Sequence, residues 1–254
     1  MTLTLAALCG FAFIAGFVDA VAGGGGLIQV PALLVLMPQV PLPTIFGTNK
    51  FSSIWGTGLA AVQYARRVPM AWHIVLPAAL SALLFSYCGS WTLGQLSSDF
   101  LRPYVLVMLI VVLAYTLWQK NFGVLHAPRF STGTQTALGV LIGALLGFYD
   151  GFFGPGTGSF LIFAFVGILG FDFLAASATA KIINVVTNLA SIAYFSSTGH
   201  ILYGTALAMA ACNAAGGWLG SHLAITKGNR FVRAVLILMS SALLLRLGWD
   251  VLWP

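Results

Sequence analysis

A motif of one acid followed by a glycine cluster occurs twice in this chain, at a constant spacing. Residues 16–26 contain Asp19 and four consecutive glycines, and residues 147–158 contain Asp150 and a Gly-Pro-Gly-Thr-Gly segment. We call the separation of the two acids in the sequence, from position 19 to position 150, the repeat offset. The same offset relates four further pairs without any gap: Thr48 and Thr179, Lys50 and Lys181, Gly89 and Gly220, and Arg102 and Arg233. Matches at one spacing over so much of the chain indicate duplication of a unit of about half its length.

The composition excludes a soluble protein. Hydrophobic residues make up 59% of the 254 residues and charged residues only 6%, whereas a soluble domain carries about 25% charged residues. The basic residues are scattered rather than clustered, so we expect no binding of nucleic acid. The sequence therefore predicts an all-α polytopic membrane protein whose partner is the lipid bilayer.

Ten apolar runs are separated by short polar segments. They are residues 3–22, 27–38, 44–64, 70–93, 103–118, 134–153, 159–171, 178–195, 201–225 and 231–252. Since a helix needs about 20 residues to cross a bilayer, the runs 27–38 and 159–171 are too short to cross. Both follow a glycine cluster and occupy equivalent places in the two halves, which is typical of the binding site of a secondary transporter.

The distribution of basic residues predicts that the two halves have opposite orientations. Residues 65–69 contain Arg66 and Arg67, but their equivalents 196–200 contain no lysine or arginine. The reverse holds for residues 227–233, which contain three basic residues, and residues 97–103, where one acid and one arginine nearly cancel. With basic loops placed inside, we predict two inverted repeats, each a Gly-rich re-entrant or hairpin helix pair plus three transmembrane helices. The repeats span residues 1–122 and 134–254, residues 123–133 form a cytoplasmic connector, and both termini lie outside.

The glycine bends are candidates for anion binding. A helix that starts at such a bend has unpaired N–H groups and a positive dipole end, and glycine lets the backbone approach a ligand closely. The candidate residues are Gly24, Gly25, Gly26, Gly156, Thr157 and Ser159, and the N–H groups of Gly25, Gly26, Gly156 and Thr157 are the expected donors. The alternative is that these glycines only permit a tight turn or close helix packing.

A second glycine pattern predicts a helix contact. Gly139, Gly143 and Gly147 recur every fourth residue and therefore lie on one face of a helix. Such a stripe of small residues is typical of closely packed membrane helices, so we expect packing here rather than a binding site.

Two lysines lie inside apolar helices at equivalent positions. Lys50 and Lys181 have polar neighbours that can orient a ligand: Thr48, Asn49, Asn184 and Asn188. Because a lysine inside the bilayer costs about 3 kcal/mol or more, its presence suggests a functional role. We predict that both lysines hold an anion. The alternative is that both extend to the membrane surface.

Asp19 and Asp150 are the acids buried in apolar runs, and three roles remain open for them. They can pair with the lysines, brace the glycine bends through backbone hydrogen bonds, or take up a coupling proton. No metal-ligand spacing is found among the histidines and cysteines, so we expect no metal and no cofactor.

The chain resembles the TauE/SafE sulfite exporter family, also called the TSUP family, over essentially its whole length. The motifs that carry the resemblance are residues 16–19 with the following glycines and Pro31, residues 47–50, residues 147–158 and residues 179–181. The resemblance implies a transporter of small, often sulfur-containing anions in a bacterial or archaeal cytoplasmic membrane. One departure between the repeats is Ala180, which stands where the first repeat has Asn49.

The leading hypothesis is a secondary transporter, and not an enzyme, that moves sulfite, thiosulfate, sulfoacetate or another organosulfonate by alternating access. Coupling to protons and assembly into a homo-oligomer are both compatible with the sequence. A passive anion channel is the main alternative, because channels use the same donors. An intramembrane aspartyl protease formed by Asp19 and Asp150 is a weaker alternative, since neither acid lies in a Gly-x-Gly-Asp motif.

Overall fold

The computed structural model describes residues 2–97, Val107 and residues 130–252, and these residues form helices and connecting loops without any strand. This confirms the predicted all-α class. The α-helices are α1 (Thr2–Ala22), α2 (Gly26–Leu36), α3 (Leu42–Arg67), α4 (Trp72–Gly94), α5 (Thr132–Phe152), α6 (Thr157–Ala164), α7 (Phe173–Ser197) and α8 (Tyr203–Leu252). A π-helical turn, Phe165–Leu169, continues α6. Apart from Val107, the apolar run 103–118 lies outside the described residues, and so does most of the predicted connector.

Helices of the two halves agree in position when the first half is shifted by the repeat offset. Shifted in this way, α1 would span residues 133–153 and α3 would span residues 173–198. The observed α5 and α7 differ from these bounds by one residue at most at either end. The repeat that is visible in the motifs therefore extends to the lengths and spacing of the helices.

The two short apolar runs form short helices directly after the glycine turns. The turn before α2 contains Gly23, whose φ is 74°, and the turn before α6 contains Gly154 and Gly156, whose φ values are 90° and 85°. Residues other than glycine rarely adopt this left-handed backbone conformation. Each turn connects a long helix to a short one, α1 to α2 and α5 to α6.

α8 is two helices joined at a kink. Gly228 has φ of 69° and ψ of −164°, which no helix contains. This break corresponds to the separation between the predicted apolar runs 201–225 and 231–252. The kink therefore divides α8 where the sequence becomes polar.

The described helices pack as two bundles, and each bundle contains one helix from the other half of the sequence. α1 packs against α8, and α4 packs against α5. We call α1, α2, α3 and the part of α8 before Gly228 the first bundle, and α4, α5, α6 and α7 the second bundle. Contacts between the bundles in the described residues are made mainly by α3 and α7.

Small residues allow the exchanged helices to approach closely, and they do so in equivalent ways. A side chain at Gly16 of α1 would collide with the backbone of Asn213 in α8. A side chain at Gly147 of α5 would collide with the backbone of Ala82 in α4. The repeat offset relates Gly16 to Gly147 and Ala82 to Asn213, so it carries one contact onto the other. Gly139 and Gly143 also face α4, so the predicted glycine stripe packs against a helix.

Four described helices are long and apolar enough to cross a membrane: α1, α4, α5 and α7. Their surfaces carry exposed leucine, phenylalanine and tryptophan side chains, which a lipid environment accommodates. The chain is therefore a multi-pass membrane protein.

Candidate functional site

A polar cavity lies between the two bundles, beside both glycine turns. Its volume is about 40 Å³, which is room for about three water molecules since one needs about 10–15 Å³. The residues that line it are Asp19, Gly23, Gly25, Gly26, Asn49, Lys50, Ser53, Thr57, Asp150, Gly154, Thr157, Gly158, Asn184, Asn188 and Asn213. Both halves of the sequence therefore contribute to one small site.

Two buried ion pairs join the bundles at this cavity. The Nζ atom of Lys50 lies 2.6 Å from Oδ2 of Asp150, and Nζ of Lys181 lies 2.9 Å from Oδ2 of Asp19. Each lysine thus binds the acid of the other half. The lysine side chains are 4% and 0% exposed, so neither extends to the membrane surface. Of the roles open for the two acids, pairing with lysine is the one seen in this geometry.

The two ion pairs differ in their surroundings. Oδ2 of Asp19 also accepts a hydrogen bond of 3.1 Å from Oγ1 of Thr57, and its side chain is 17% exposed against 7% for Asp150. Lys50 lines the cavity, whereas Lys181 is fully buried and does not. In the part of the chain that the structure describes, Lys50 is the one basic side chain in the cavity wall.

Helical spacing places the polar side chains of α3 and α7 on the faces that meet at the cavity. In α3, Lys50, Ser53 and Thr57 follow one another at intervals of three and four residues. In α7, Asn184 and Asn188 are four residues apart. Residues at these intervals share one face of a helix, so a polar stripe on each helix lines the site.

The glycine turns are tied to each other by hydrogen bonds. The N–H of Ser159 donates to the carbonyl of Gly23 over 3.1 Å, and its hydroxyl donates to the carbonyl of Ala22 over 2.7 Å. The N–H and hydroxyl of Thr157 both donate to the carbonyl of Gly154. The expectation that the N–H of Thr157 is free for an anion therefore does not fit this geometry, because the turn itself uses that donor.

Most of the predicted site residues lie in the cavity wall. The predicted residues that line it are Asp19, Gly25, Gly26, Asn49, Lys50, Asp150, Thr157, Asn184 and Asn188. Those that do not are Gly24, Thr48, Gly156, Ser159 and Lys181. Oγ1 of Thr48 instead accepts a hydrogen bond of 3.1 Å from the N–H of Leu202, which joins α3 to the loop before α8.

Sequence reasoning missed several lining residues, among them Ser53, Thr57 and Asn213. The first two could have been found, since they lie one and two turns after Lys50 on the same helical face. Asn213 could have been predicted as well, because it is an isolated amide inside an apolar helix. Its Nδ2 donates to Oε1 of Gln29 over 3.0 Å and to the carbonyl of Ala12 over 3.2 Å.

Two amide oxygens in the cavity wall have no hydrogen-bond partner. Among the described residues, the buried side-chain atoms without a partner are Oδ1 of Asn49, Oγ of Ser52, Oγ of Ser177 and Oδ1 of Asn184. Only the two asparagines of this set line the cavity. Because both oxygens are also almost without accessible surface, an occupant of the cavity does not reach them.

Comparison with known proteins gives a consistent picture. The family model described as Sulfite exporter TauE/SafE matches residues 8–247. The chain is 36% identical over 244 residues to a probable membrane transporter protein, ORF9, from a Sinorhizobium species, covering 96% of this chain and 92% of that protein. It is 33% identical over 249 residues to a probable membrane transporter protein of Haemophilus influenzae, covering 98% and 96%.

A third relative is the probable membrane transporter protein YfcA of Escherichia coli, which is 31% identical over 250 residues and is covered over 91% of its length. No solved structure matches the chain. The family and these relatives are named as membrane transporters rather than as enzymes.

Proposed function

Because the chain belongs to the TauE/SafE sulfite exporter family, we propose that it is a secondary transporter of a small sulfur-containing anion across the cytoplasmic membrane. The candidate substrates are sulfite, thiosulfate, sulfoacetate and other organosulfonates. A cavity of about 40 Å³ favours the smallest of these, so sulfite is the first substrate to test.

The observation that carries this proposal is the position of Lys50. Its ammonium group is buried in a wall shared by the two bundles, and its partner Asp150 belongs to the opposite bundle. A lysine at this depth is costly unless it is paired. An anion that enters the cavity can replace the carboxylate as the partner of Lys50. The N–H groups of Gly25 and Gly26, at the start of α2, and the amides of Asn184 and Asn188 supply further donors.

Alternating access is proposed to occur between the bundles rather than between the halves of the sequence. The hypothesis of one half rocking against the other conflicts with the packing, because α4 is packed against α5 and α8 against α1. Two inverted repeats with hairpins at the glycine turns and both termini outside remain part of the proposal. The constant repeat offset and the equivalent helix contacts support a duplicated unit.

Charge balance favours transport of the anion together with a proton. The two lysines and two aspartates of the site sum to zero, so an anion alone would leave a net negative charge in a buried site, and such a charge is unfavourable. A proton that accompanies the anion reduces this net charge by one and so lowers the cost. Protonation of Asp150, protonation of Asp19 and carriage of the proton by the anion are the three ways of supplying it.

The test is flux in liposomes that contain the purified protein. We expect uptake of radiolabelled sulfite that exceeds uptake by protein-free liposomes, and accumulation above the outside concentration when a proton gradient is imposed. Lys50→Met should abolish this uptake, whereas Ser52→Ala, two residues further along α3 and outside the cavity wall, should retain it. Flux that only dissipates a gradient would instead indicate a passive channel. No flux of any sulfur oxyanion or sulfonate would refute the proposal.

A further inference from the structure

The ammonium group of Lys50 has hydrogen-bond donors that the protein does not use. Its Nζ atom donates to Oδ2 of Asp150 over 2.6 Å, and a lysine has three N–H donors. In the part of the chain that the structure describes, no second acceptor is bound to this atom. A side-chain carbon at Gly154 would lie 3.3 Å from Nζ, so the glycine leaves one side of the ammonium group open. An anion in the cavity can therefore bind at this atom.

An anion bound there shares the ammonium group with Asp150. Two negative groups on one cation repel each other, and water screens them little because the side chain of Asp150 is only 7% exposed. A proton on Asp150 removes this repulsion, since it makes the carboxylate a neutral group. It also releases Lys50 for the anion.

The second acid of the cavity does not face this competition. Asp19 is bound by Nζ of Lys181 over 2.9 Å and by Oγ1 of Thr57 over 3.1 Å. Lys181 is fully buried and does not line the cavity, so an anion there does not reach its ammonium group. Asp19 therefore keeps its partner and its charge when the anion binds.

The ionisable groups around Asp150 leave it as the acid nearest the anion. Lys50 on α3, Asp19 on α1 and Lys181 on α7 belong to the two ion pairs. On α5 itself, Tyr149 precedes Asp150, and its hydroxyl donates to a carbonyl in the turn before α6. α6 has no ionisable residue, and α4 contains no aspartate, glutamate, lysine or arginine. The remaining ionisable residues of α4 and α7 do not line the cavity: His73, Tyr87, Cys88 and Tyr194.

We infer that Asp150 carries the coupling proton. A singly charged anion, such as hydrogen sulfite, binds Lys50, and Asp150 takes up one proton from the same side of the membrane. The loaded site then has no net charge, as the empty site has none. The anion and the proton are released together on the other side, after which Asp150 pairs with Lys50 again. This inference rests on the proposed function and assigns the proton of that cotransport to one acid.

Proton uptake on binding tests this assignment in the wild-type protein. Isothermal titration calorimetry with sulfite is done in detergent, in two buffers that differ in their heat of ionisation, and the comparison gives the number of protons taken up per bound anion. At about pH 5, where dissolved sulfite is almost entirely singly charged hydrogen sulfite, we expect uptake of about one proton per anion. Binding without uptake would overturn the inference, because the accompanying proton would then be the one that the anion already has.

Two variants then distinguish the acids. Asp150→Asn cannot take up the proton, so it should bind hydrogen sulfite without uptake. Asp19→Asn/Lys181→Met removes the other pair as a whole and keeps the charge of the site at zero, so it should still take up about one proton per anion. Uptake retained in folded Asp150→Asn, or lost in the folded double variant, would overturn the inference and assign the proton to Asp19. Thermal unfolding shows whether each variant is folded, and the wild-type and double-variant results do not depend on Asp150→Asn.

Transport by Asp150→Asn in liposomes gives a second readout. The variant lacks the carboxylate that pairs with Lys50 after release, so the empty protein should return poorly, whereas exchange of internal for external sulfite does not need that return. We expect exchange at neutral pH to continue and accumulation driven by a proton gradient to be lost. A purely structural role of Asp150 would reduce both. Ser52→Ala, outside the cavity wall, should retain both, and accumulation by Asp150→Asn would overturn the inference.

The wild-type flux assay separates failure of this inference from failure of the proposed function. Sulfite flux without proton uptake on binding would leave the proposed function standing and would overturn only the assignment of the proton. Absence of flux of any sulfur oxyanion or sulfonate would refute both together.

Discussion

The Lys50–Asp150 pair permits a quantitative test by a double-mutant cycle. Because both side chains are almost fully buried, at 4% and 7% exposure, Lys50→Met leaves an unpaired carboxylate and Asp150→Asn leaves an unpaired ammonium group. Breaking a buried pair by removing one partner costs about 3–5 kcal/mol. At about 2–4 °C per kcal/mol for a chain of this size, each single variant should unfold about 6–20 °C lower than the wild type.

The double variant Lys50→Met/Asp150→Asn should recover most of this loss. It removes both charges at once, and replacing a buried ion pair by uncharged groups is often neutral or stabilising. The free energy of unfolding, measured by thermal unfolding in detergent, should therefore show a coupling of several kcal/mol between the two positions. Single variants that cost less than about 1 kcal/mol, as exposed pairs do, would refute the reasoning.

The transport activity of the double variant shows whether Lys50 binds the substrate or only holds the bundles together. If Lys50 only holds the bundles together, the stable double variant should transport sulfite. We expect no transport, because the variant lacks the basic side chain of the cavity wall. The equivalent variant Lys181→Met is the matched comparison. It should lose less stability, since Asp19 retains the hydrogen bond of Thr57 and is 17% exposed.

Two further predictions concern packing and the second ion pair. Gly151→Ala should destabilise the protein by about 1–3 kcal/mol, because its new side chain would collide with the backbone of Ser86; Gly58→Ala, at an open position in α3, should instead stabilise the helix by up to about 1 kcal/mol in the same thermal assay. Thr57→Val removes the hydroxyl that binds Asp19 and should lower sulfite uptake with a stability loss of about 1 kcal/mol, whereas Thr57→Ser should retain uptake. Normal uptake by the valine variant would exclude a role for this hydrogen bond.

Much of the fold follows from the sequence because the duplication is preserved without gaps. The offset that links Asp19 to Asp150 also aligns helix bounds to within a residue, so the positions of the helices could be predicted from the apolar runs. The short runs became the short helices α2 and α6 for the same reason. These features depend on the local sequence, since a glycine turn and the length of an apolar run each determine the structure of a single segment.

The partners of the lysines could not be predicted in the same way. The offset is equally compatible with Lys50 paired to Asp19 of its own half and with Lys50 paired to Asp150 of the other. Which pairing occurs depends on how the two halves pack, and that depends on contacts between distant helices. The exchange of α4 and α8 between the bundles was missed for this reason, although the glycine stripe correctly indicated a close helix contact.

The exchanged helices place both ion pairs at the boundary where alternating access would require movement. Lys50 and Asp19 belong to the first bundle, and their partners Asp150 and Lys181 belong to the second. Separating the bundles without a ligand would break both pairs, and a buried charge left without its partner costs about 3–5 kcal/mol. Return of the empty protein, which each cycle of anion–proton cotransport requires, should therefore be the slow step. An anion that binds Lys50 replaces one of the lost partners and lowers this barrier. Movement would thus be faster with substrate bound than without it, a dependence that an open channel does not need.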